Sequence, residues 1–122
     1  MSGISSTGVI AGLLEVWRRA FDEQRVSDLV SLFREDALFQ GISPHLRTGR
    51  EEISEYYDNV ADGMTAKVEV LREVQLSEGI VIGFSDVTFT ARTGETRPIR
   101  LSIVAEQVEG TWLIRQYHAA TH

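Results

Sequence analysis

The apolar residues Ile10, Leu13, Leu14, Trp17 and Phe21 recur at helical spacing, with Glu15, Arg18, Arg19 and Asp22 between them. That periodicity predicts an amphipathic helix with one broad buried face. Met1 to Gly8, ahead of it, are mostly small and polar and are expected to fray. A shorter stripe of Leu29, Val30, Leu32 and Phe33 predicts a second helix from about Ser27, capped by Ser27 or Asp28 and ending near Arg34. Asp36 to Gln40 reads as a short strand, and Gly41 to Gly49, with Pro44, as a loop. Thr48 and Glu51 have the spacing of a capping box. A third helix is therefore predicted from about Arg50 to Asp62, turning Ile53, Tyr56, Tyr57 and Val60 inward and stopping at Gly63.

Beyond Gly63 the period changes from helical to alternating. Ala66 to Ser77, Gly79 to Ala91, Pro98 to Val108 and Trp112 to Ala119 read as strands. The turns between them fall at Ser77-Glu78-Gly79, at Arg92 to Thr96 around Gly94, and at Glu109-Gly110-Thr111. Helices first and an antiparallel meander afterwards is an α+β order. No linker, repeat or low-complexity stretch divides the 122 residues, which predicts a single domain over 1–122. A strongly bent sheet wrapped on helices leaves a cavity at its open end, and this is the physical basis for expecting a small-molecule ligand.

Composition narrows the chemistry. With 43% hydrophobic and 25% charged residues the chain reads as an ordinary soluble protein. A net charge of -6, one lysine (Lys67) and scattered arginines disfavour nucleic acid as a partner. The absence of cysteine removes disulfides, iron–sulfur clusters, thiolate zinc sites and cysteine nucleophiles, and is compatible with a reducing cytoplasm. The apolar run Val9 to Leu14 is too short to cross a bilayer, so no membrane association and a cytoplasmic location are expected. There is no glycine-rich phosphate loop, Ser-His-Asp order or nucleotide fingerprint, and no cofactor is expected. His118 and His122, four apart at a strand end, are too distant for a compact metal site, so no metal is expected either.

Trp17 to Phe33, the junction Phe33-Arg34-Glu35-Asp36-Ala37-Leu38-Phe39, Gly49-Arg50, Tyr56-Tyr57 and the ending Gly110-Thr111-Trp112-Leu113-Ile114-Arg115-Gln116-Tyr117-His118 together resemble the NTF2-like superfamily over nearly the whole chain. The ending is similar to the SgcJ/EcaC group and to the association domain of calcium/calmodulin-dependent protein kinase. SnoaL-like cyclases and ketosteroid isomerases are more distant relatives. The resemblance implies an NTF2-like cone: three N-terminal helices packed on a strongly bent, mainly antiparallel sheet, dimerising through its convex face. It also implies a possible setting in bacterial polyketide or enediyne antibiotic biosynthesis. The superfamily hosts enzymes and plain assembly domains alike, so it does not choose a reaction.

One reaction is disfavoured. Ketosteroid isomerases use an aspartate base with an oxyanion hole of tyrosine and protonated aspartate. With Asp36-Ala37 set on the family's Asp-Ala pair, those positions fall on Gly41, Trp17 and Ile103. The pocket arginine of the kinase association domain, also at the strand position of Ile103, is missing as well.

Matching to the family puts Leu113, Arg115, Tyr117 and Ala119 on the pocket face, with Leu101 and Ile103 beside them and Phe84, Asp86 and Thr88 facing the same way. Val81, Gly83, Ser85, Val87, Phe89, Val104, Trp112, Ile114, Gln116 and His118 then form an apolar outer face suited to a homodimer. Asp86 is the candidate general base or ligand anchor, because aspartate disfavours strands and an acid in a cavity needs a partner or a raised pKa. Arg115 would bind a carboxylate, enolate or phosphate, and Tyr117 would donate a hydrogen bond. The alternative is a buried Asp86–Arg115 pair that closes the cone and touches no substrate. Trp17, Phe39, Tyr56 and Ile103 are the expected walls for a small hydrophobic or aromatic ligand, and His118 is a further ligand candidate whose parity favours the dimer interface. Two functions follow: a binding protein whose catalysis, if any, is cofactor-free cyclisation, isomerisation or dehydration, or a non-catalytic ligand-binding or assembly module.

Overall fold

The computed structural model describes residues 8–121, so the stretch expected to fray lies outside it but for Gly8, as does His122. Three helices, α1 (Val9–Asp22), α2 (Val26–Ser31) and α3 (Gly49–Asp58), pack against one face of a six-stranded sheet. The strands are β1 (Phe33–Gln40), β2 (Arg47–Thr48), β3 (Thr65–Ser77), β4 (Ile80–Thr90), β5 (Thr96–Val108) and β6 (Thr111–Thr121). Their spatial order is β2-β1-β6-β5-β4-β3. All neighbours are antiparallel except β1 and β6, which run parallel. The expected α+β cone with a mainly antiparallel sheet is the architecture found.

Helix α1 buries Ile10, Leu13, Leu14, Trp17, Ala20 and Phe21, the stripe read from its periodicity. Its first turn is held by the sheet: the Glu73 carboxylate accepts the N–H groups of Ile10 and Ala11, each at 3.0 Å. A carboxylate there satisfies two orphan donors and complements the helix dipole. Gly83 makes the close approach possible, since a Cβ at that position would meet the Arg72 carbonyl oxygen at 2.7 Å and Ile10 Cγ1 at 3.2 Å. At the other end Asp22 accepts the Ala66 N–H at 2.8 Å, which fastens α1 to β3.

Several boundaries differ from expectation. Phe33 belongs to β1 rather than to the second helix, because the Leu32 carbonyl accepts the Ile114 N–H at 2.7 Å and draws the chain into the sheet early. Helix α3 ends at Asp58, four residues before Asp62. Its cap is made by Glu52, which accepts the Thr48 N–H at 2.8 Å, and not by Glu51.

The two hairpins that fix sheet parity are short. Ala91 and Glu95 close a three-residue loop in which Gly94 has φ 97°. Glu109 and Gly110 both take positive φ, at 50° and 84°, as a two-residue turn between Val108 and Thr111 requires. Counting back from the first loop pairs Val87 with Ile99, Ser85 with Leu101 and Gly83 with Ile103. These residues face the helices, so the expected parity of β4 is reversed: Val81, Gly83, Ser85, Val87 and Phe89 are inside, and Phe84, Asp86 and Thr88 are outside. On β6 a bulge intervenes. Val104 faces Gln116 but Ala105 faces Ile114, which leaves Arg115 as the extra residue. Ile114 and Tyr117, three apart, thus both point inward, while Leu113 and Arg115 are only half-buried.

Candidate functional site

The interior of the cone is filled by rings. Trp17 from α1, Tyr57 from α3, Phe33 and Phe39 from β1 and Tyr117 from β6 are all buried. Phe39 and Tyr117 stack with centroids 4.5 Å apart and planes 9° from parallel. Trp17 lies edge-on to Phe89 at 6.1 Å and stacks on Phe21 at 5.2 Å. Within this cluster Trp17 Nε1 donates to Tyr57 Oη at 2.9 Å. Burial pushes both phenols well above the ordinary tyrosine range, so they are neutral donors at physiological pH. Apart from the tyrosines and tryptophan, Ser85 is the one fully buried polar side chain among the described residues. No carboxylate, histidine or lysine is buried with the phenols there.

The three positions where a ketosteroid isomerase would carry its machinery are all blocked. Trp17 is 0% exposed and Ile103 1%. Gly41 lies under the Tyr56 ring, whose Cζ is 2.4 Å from where a Cβ would sit. Tyr56 is partly buried, stacks edge-on against Phe39 at 4.8 Å and carries the Arg47 guanidinium 5.1 Å above its ring. The wall candidates Trp17, Phe39 and Ile103 do gather around Tyr117, all of them buried, and Tyr56 packs on Phe39.

Asp86 and Arg115 do not join them. Asp86 is on the outer face of β4, opposite Arg100, whose Nε donates to its Oδ1 at 2.6 Å. Reversed parity separates it from Tyr117, so the expected acid, base and phenol in one cavity are not brought together. Arg115 is carried out by its bulge, where it donates to the Asp36 carbonyl at 2.8 Å and lies 3.5 Å from the Asp36 carboxylate and 3.9 Å from Glu106. Arg34 completes the group with Glu106 at 2.6 Å and Asp36 at 3.5 Å. His118 is exposed on the outer face, level with Ser102 and Gln40, at the edge of a shallow recess of about 170 Å³ that also touches Leu38 and Leu46.

The outer face therefore has a simple layout. Val74, Ile82, Val104, Gln116 and Leu38 form one row across the strands, and Arg72, Phe84, Ser102, His118 and Gln40 the next. Phe84, between Arg72 and Ser102 in the second row, is 52% exposed. The Asp86–Arg100 pair borders one end, and the Arg34, Asp36, Glu106 and Arg115 group the other.

Open space lies at the mouth of the cone. One cavity of about 200 Å³ sits among Phe21, Gln24, Val26, Leu29, Tyr57, Asp58, Val60, Asp62 and Met64, with Gln24 Nε2 donating to Asp62 at 3.1 Å. A larger one of about 440 Å³ is bounded by Ile42, Met64, Phe89, Ala91, Glu95, Thr96 and Arg97. Sequence reasoning passed over Met64 and Arg97 and set Phe89 on the outer face, whereas it is buried on the inner one. The alternation Ile99, Leu101, Ile103 carried back two residues was the available signal for Arg97. Among the described residues no cluster of three or more acids and histidines could hold a metal, and no helix is long and apolar enough to cross a membrane.

A helix-covered sheet of this order, bent into a cone, defines the NTF2-like or cystatin-like class of α+β domains. Within it the chain belongs to the SnoaL-like domain family, whose model matches residues 10–121. Solved structures of similar fold include a provisionally assigned calcium/calmodulin-dependent protein kinase II association domain from Xanthomonas campestris. It is 21% identical with a TM-score of 0.80, over 93% of this chain and 85% of that one. A ketosteroid isomerase-like protein from Erwinia carotovora atroseptica is 19% identical with a TM-score of 0.78, over 95% of both chains. A provisionally assigned scytalone dehydratase from Novosphingobium aromaticivorans is 17% identical with a TM-score of 0.82, over 93% of this chain and 82% of that one. At these identities the likeness is one of fold. No curated protein matches the chain significantly.

Proposed function

We propose that this chain is a homodimerising domain, joined through the outer face of its sheet, whose cone serves as a packed core and not as a reaction chamber. The observation that carries this reading is Phe84, half exposed on the outer face next to Ile82, beside a row of Val74, Ile82, Val104, Gln116 and Leu38 that is apolar but for Gln116. Isolated exposed apolar residues need no explanation, but a contiguous strip rimmed by polar groups marks an interaction surface. A second copy is the occupant that fits. Both rims neutralise their own charges through ion pairs, so two acidic chains of net charge -6 can meet there without setting like charges face to face. That two neighbours of similar fold are provisionally assigned as association domains lends support.

The catalytic reading, a cofactor-free cyclase, isomerase or dehydratase of bacterial polyketide or enediyne biosynthesis, has less behind it. Such chemistry needs a base at the reacting carbon. Burial keeps Tyr57 and Tyr117 neutral, and Asp86 lies on the other face of the sheet. A cytoplasmic location fits a cysteine-free chain under either reading.

Sedimentation equilibrium tests the assembly. The wild-type protein is expected to be a dimer, and Phe84→Glu to raise its dissociation constant by roughly two orders of magnitude or more while leaving the circular dichroism of the fold unchanged. A wild-type chain that stays monomeric at every accessible concentration, or a Phe84→Glu variant that dimerises normally, would sink the reading.

A further inference from the structure

We propose that the larger recess at the mouth of the cone, outside its filled interior, binds an amphipathic organic monoanion, with Arg97 holding the carboxylate and Phe89, Ile42 and Met64 receiving the apolar body. This inference is independent of how two chains pair.

Arg97 is the positively charged group that the recess offers a ligand. It is the register partner of Phe89, and it continues the inner-facing series Ile99, Leu101 and Ile103, so it lies on the helix side of the sheet and not on its outer face. Its side chain borders the apolar wall of the recess while remaining open to solvent, so the guanidinium is available to a ligand that enters there. Among the described residues no carboxylate lies within ion-pairing distance of it, although Glu95 borders the same recess. Most other arginines here are engaged: Arg18, Arg19, Arg25, Arg34, Arg100 and Arg115 all pair with acids. The guanidinium is exposed and its fork is open to a planar, bidentate anion.

The space beside it fits such a ligand in size and polarity. About 440 Å³ is within the range of sites for small organic molecules, whereas the adjoining 200 Å³ is below it. Phe89, Ile42, Ala91 and Met64 supply apolar wall, and the polar groups are gathered on the 95–97 side. Glu95 on that rim would repel a second negative charge, which is why a monoanion is favoured. Met64 is shared by both cavities. Its unbranched side chain can yield to a longer apolar tail without disturbing the sheet.

Isothermal titration with octanoate and with octan-1-ol tests the assignment on the intact protein. Octanoate should bind one per chain, octan-1-ol at least tenfold more weakly, and Arg97→Gln should lose at least tenfold for octanoate with little change for the alcohol. Met64→Trp, which fills the recess, should abolish both. Phe84→Glu should bind octanoate as the wild type does, so that failure of the dimer and failure of this site are told apart. The proposal is overturned if octanoate does not bind, if Arg97→Gln binds it as tightly as the wild type, if acid and alcohol bind equally, or if Met64→Trp leaves binding intact.

Discussion

Phe84 and Ser85 are neighbours on β4, and each occupies the face where the other would be expected. Phe84 is 52% exposed on the outer side of the sheet, whereas Ser85 is 1% exposed on the inner side and its hydroxyl has no hydrogen-bond partner. Elsewhere the buried part of the inner face is apolar or aromatic among the described residues, and the Trp17 indole donates to the Tyr57 hydroxyl. The two faces are built to different ends. The inner one is a packed interior that accepts a polar atom only by accident of register, and the outer one keeps an apolar strip between ion pairs, as a surface that expects company does.

Equal truncations on the two faces should give the widest separation. Trp17→Ala removes a ring that is 0% exposed and leaves Tyr57 without its indole donor, so a loss of roughly 3–5 kcal/mol is expected in denaturant unfolding. Phe84→Ala, measured on the dissociated chain, should change stability by no more than about 0.5 kcal/mol. Comparable losses at both positions would mean that the outer strip is already covered within one chain.

Alkali should attack the inner face selectively. Tyr57 and Tyr117 are raised above the ordinary tyrosine value by burial, so the folded chain keeps two protons that the unfolded chain releases from about pH 10 upward. Their contribution is intact below the unfolded pKa and is lost as pH climbs beyond it, with a limiting slope of roughly 2.7 kcal/mol per pH unit for two groups. Stability that is flat to about pH 9 and then falls is the expected urea profile. Replacement of both by phenylalanine should flatten the alkaline limb, and a slope that survives it would place the titration elsewhere.

How much of this was legible can be traced residue by residue. The stripe through Leu13, Leu14 and Trp17 fixed α1 correctly because a helix needs only local periodicity. The face of β4 was also within reach: a three-residue loop closed by Ala91 and Glu95 pairs Val87 with Ile99 by counting alone, which puts Asp86 outside. Likeness to distant relatives places Asp86 inward, and the hairpin count, which is the stronger constraint, places it outside. Arg115 is different in kind. The Glu109-Gly110 turn by itself would face Tyr117 outward, and only the bulge lets Ile114 and Tyr117 both reach the core. That choice is made by tertiary packing, and nothing in the local pattern of Leu113 to His118 announces it.

Ser85→Ala tests whether the serine's inward position has any purpose. The hydroxyl lies between Val70 on β3 and Leu101 on β5, its register partners, and finds no acceptor there. Removing a buried unpaired hydroxyl without changing the Cβ should stabilise the fold by about 1 kcal/mol. A loss instead would mean that the hydroxyl is satisfied by ordered water.

The smallest effect is expected where the sequence pointed to chemistry. Had Asp86 been buried against Arg115 inside the cone, Asp86→Asn would have left an arginine uncompensated in an apolar interior, at a cost of several kcal/mol. Its actual partner is Arg100, and both side chains keep solvent contact, at 33% and 43% exposure. Exposed pairs of this kind are worth about 0.2–1 kcal/mol and weaken with salt. Asp86→Asn should therefore lower stability by less than about 1 kcal/mol in low salt, with the difference shrinking in 1 M sodium chloride. Because the pair rims the apolar strip around Phe84, the same substitution should shift the dimer equilibrium more than it shifts folding. An effect confined to folding would detach Asp86 from the interface, and a loss of several kcal/mol would return it to the interior.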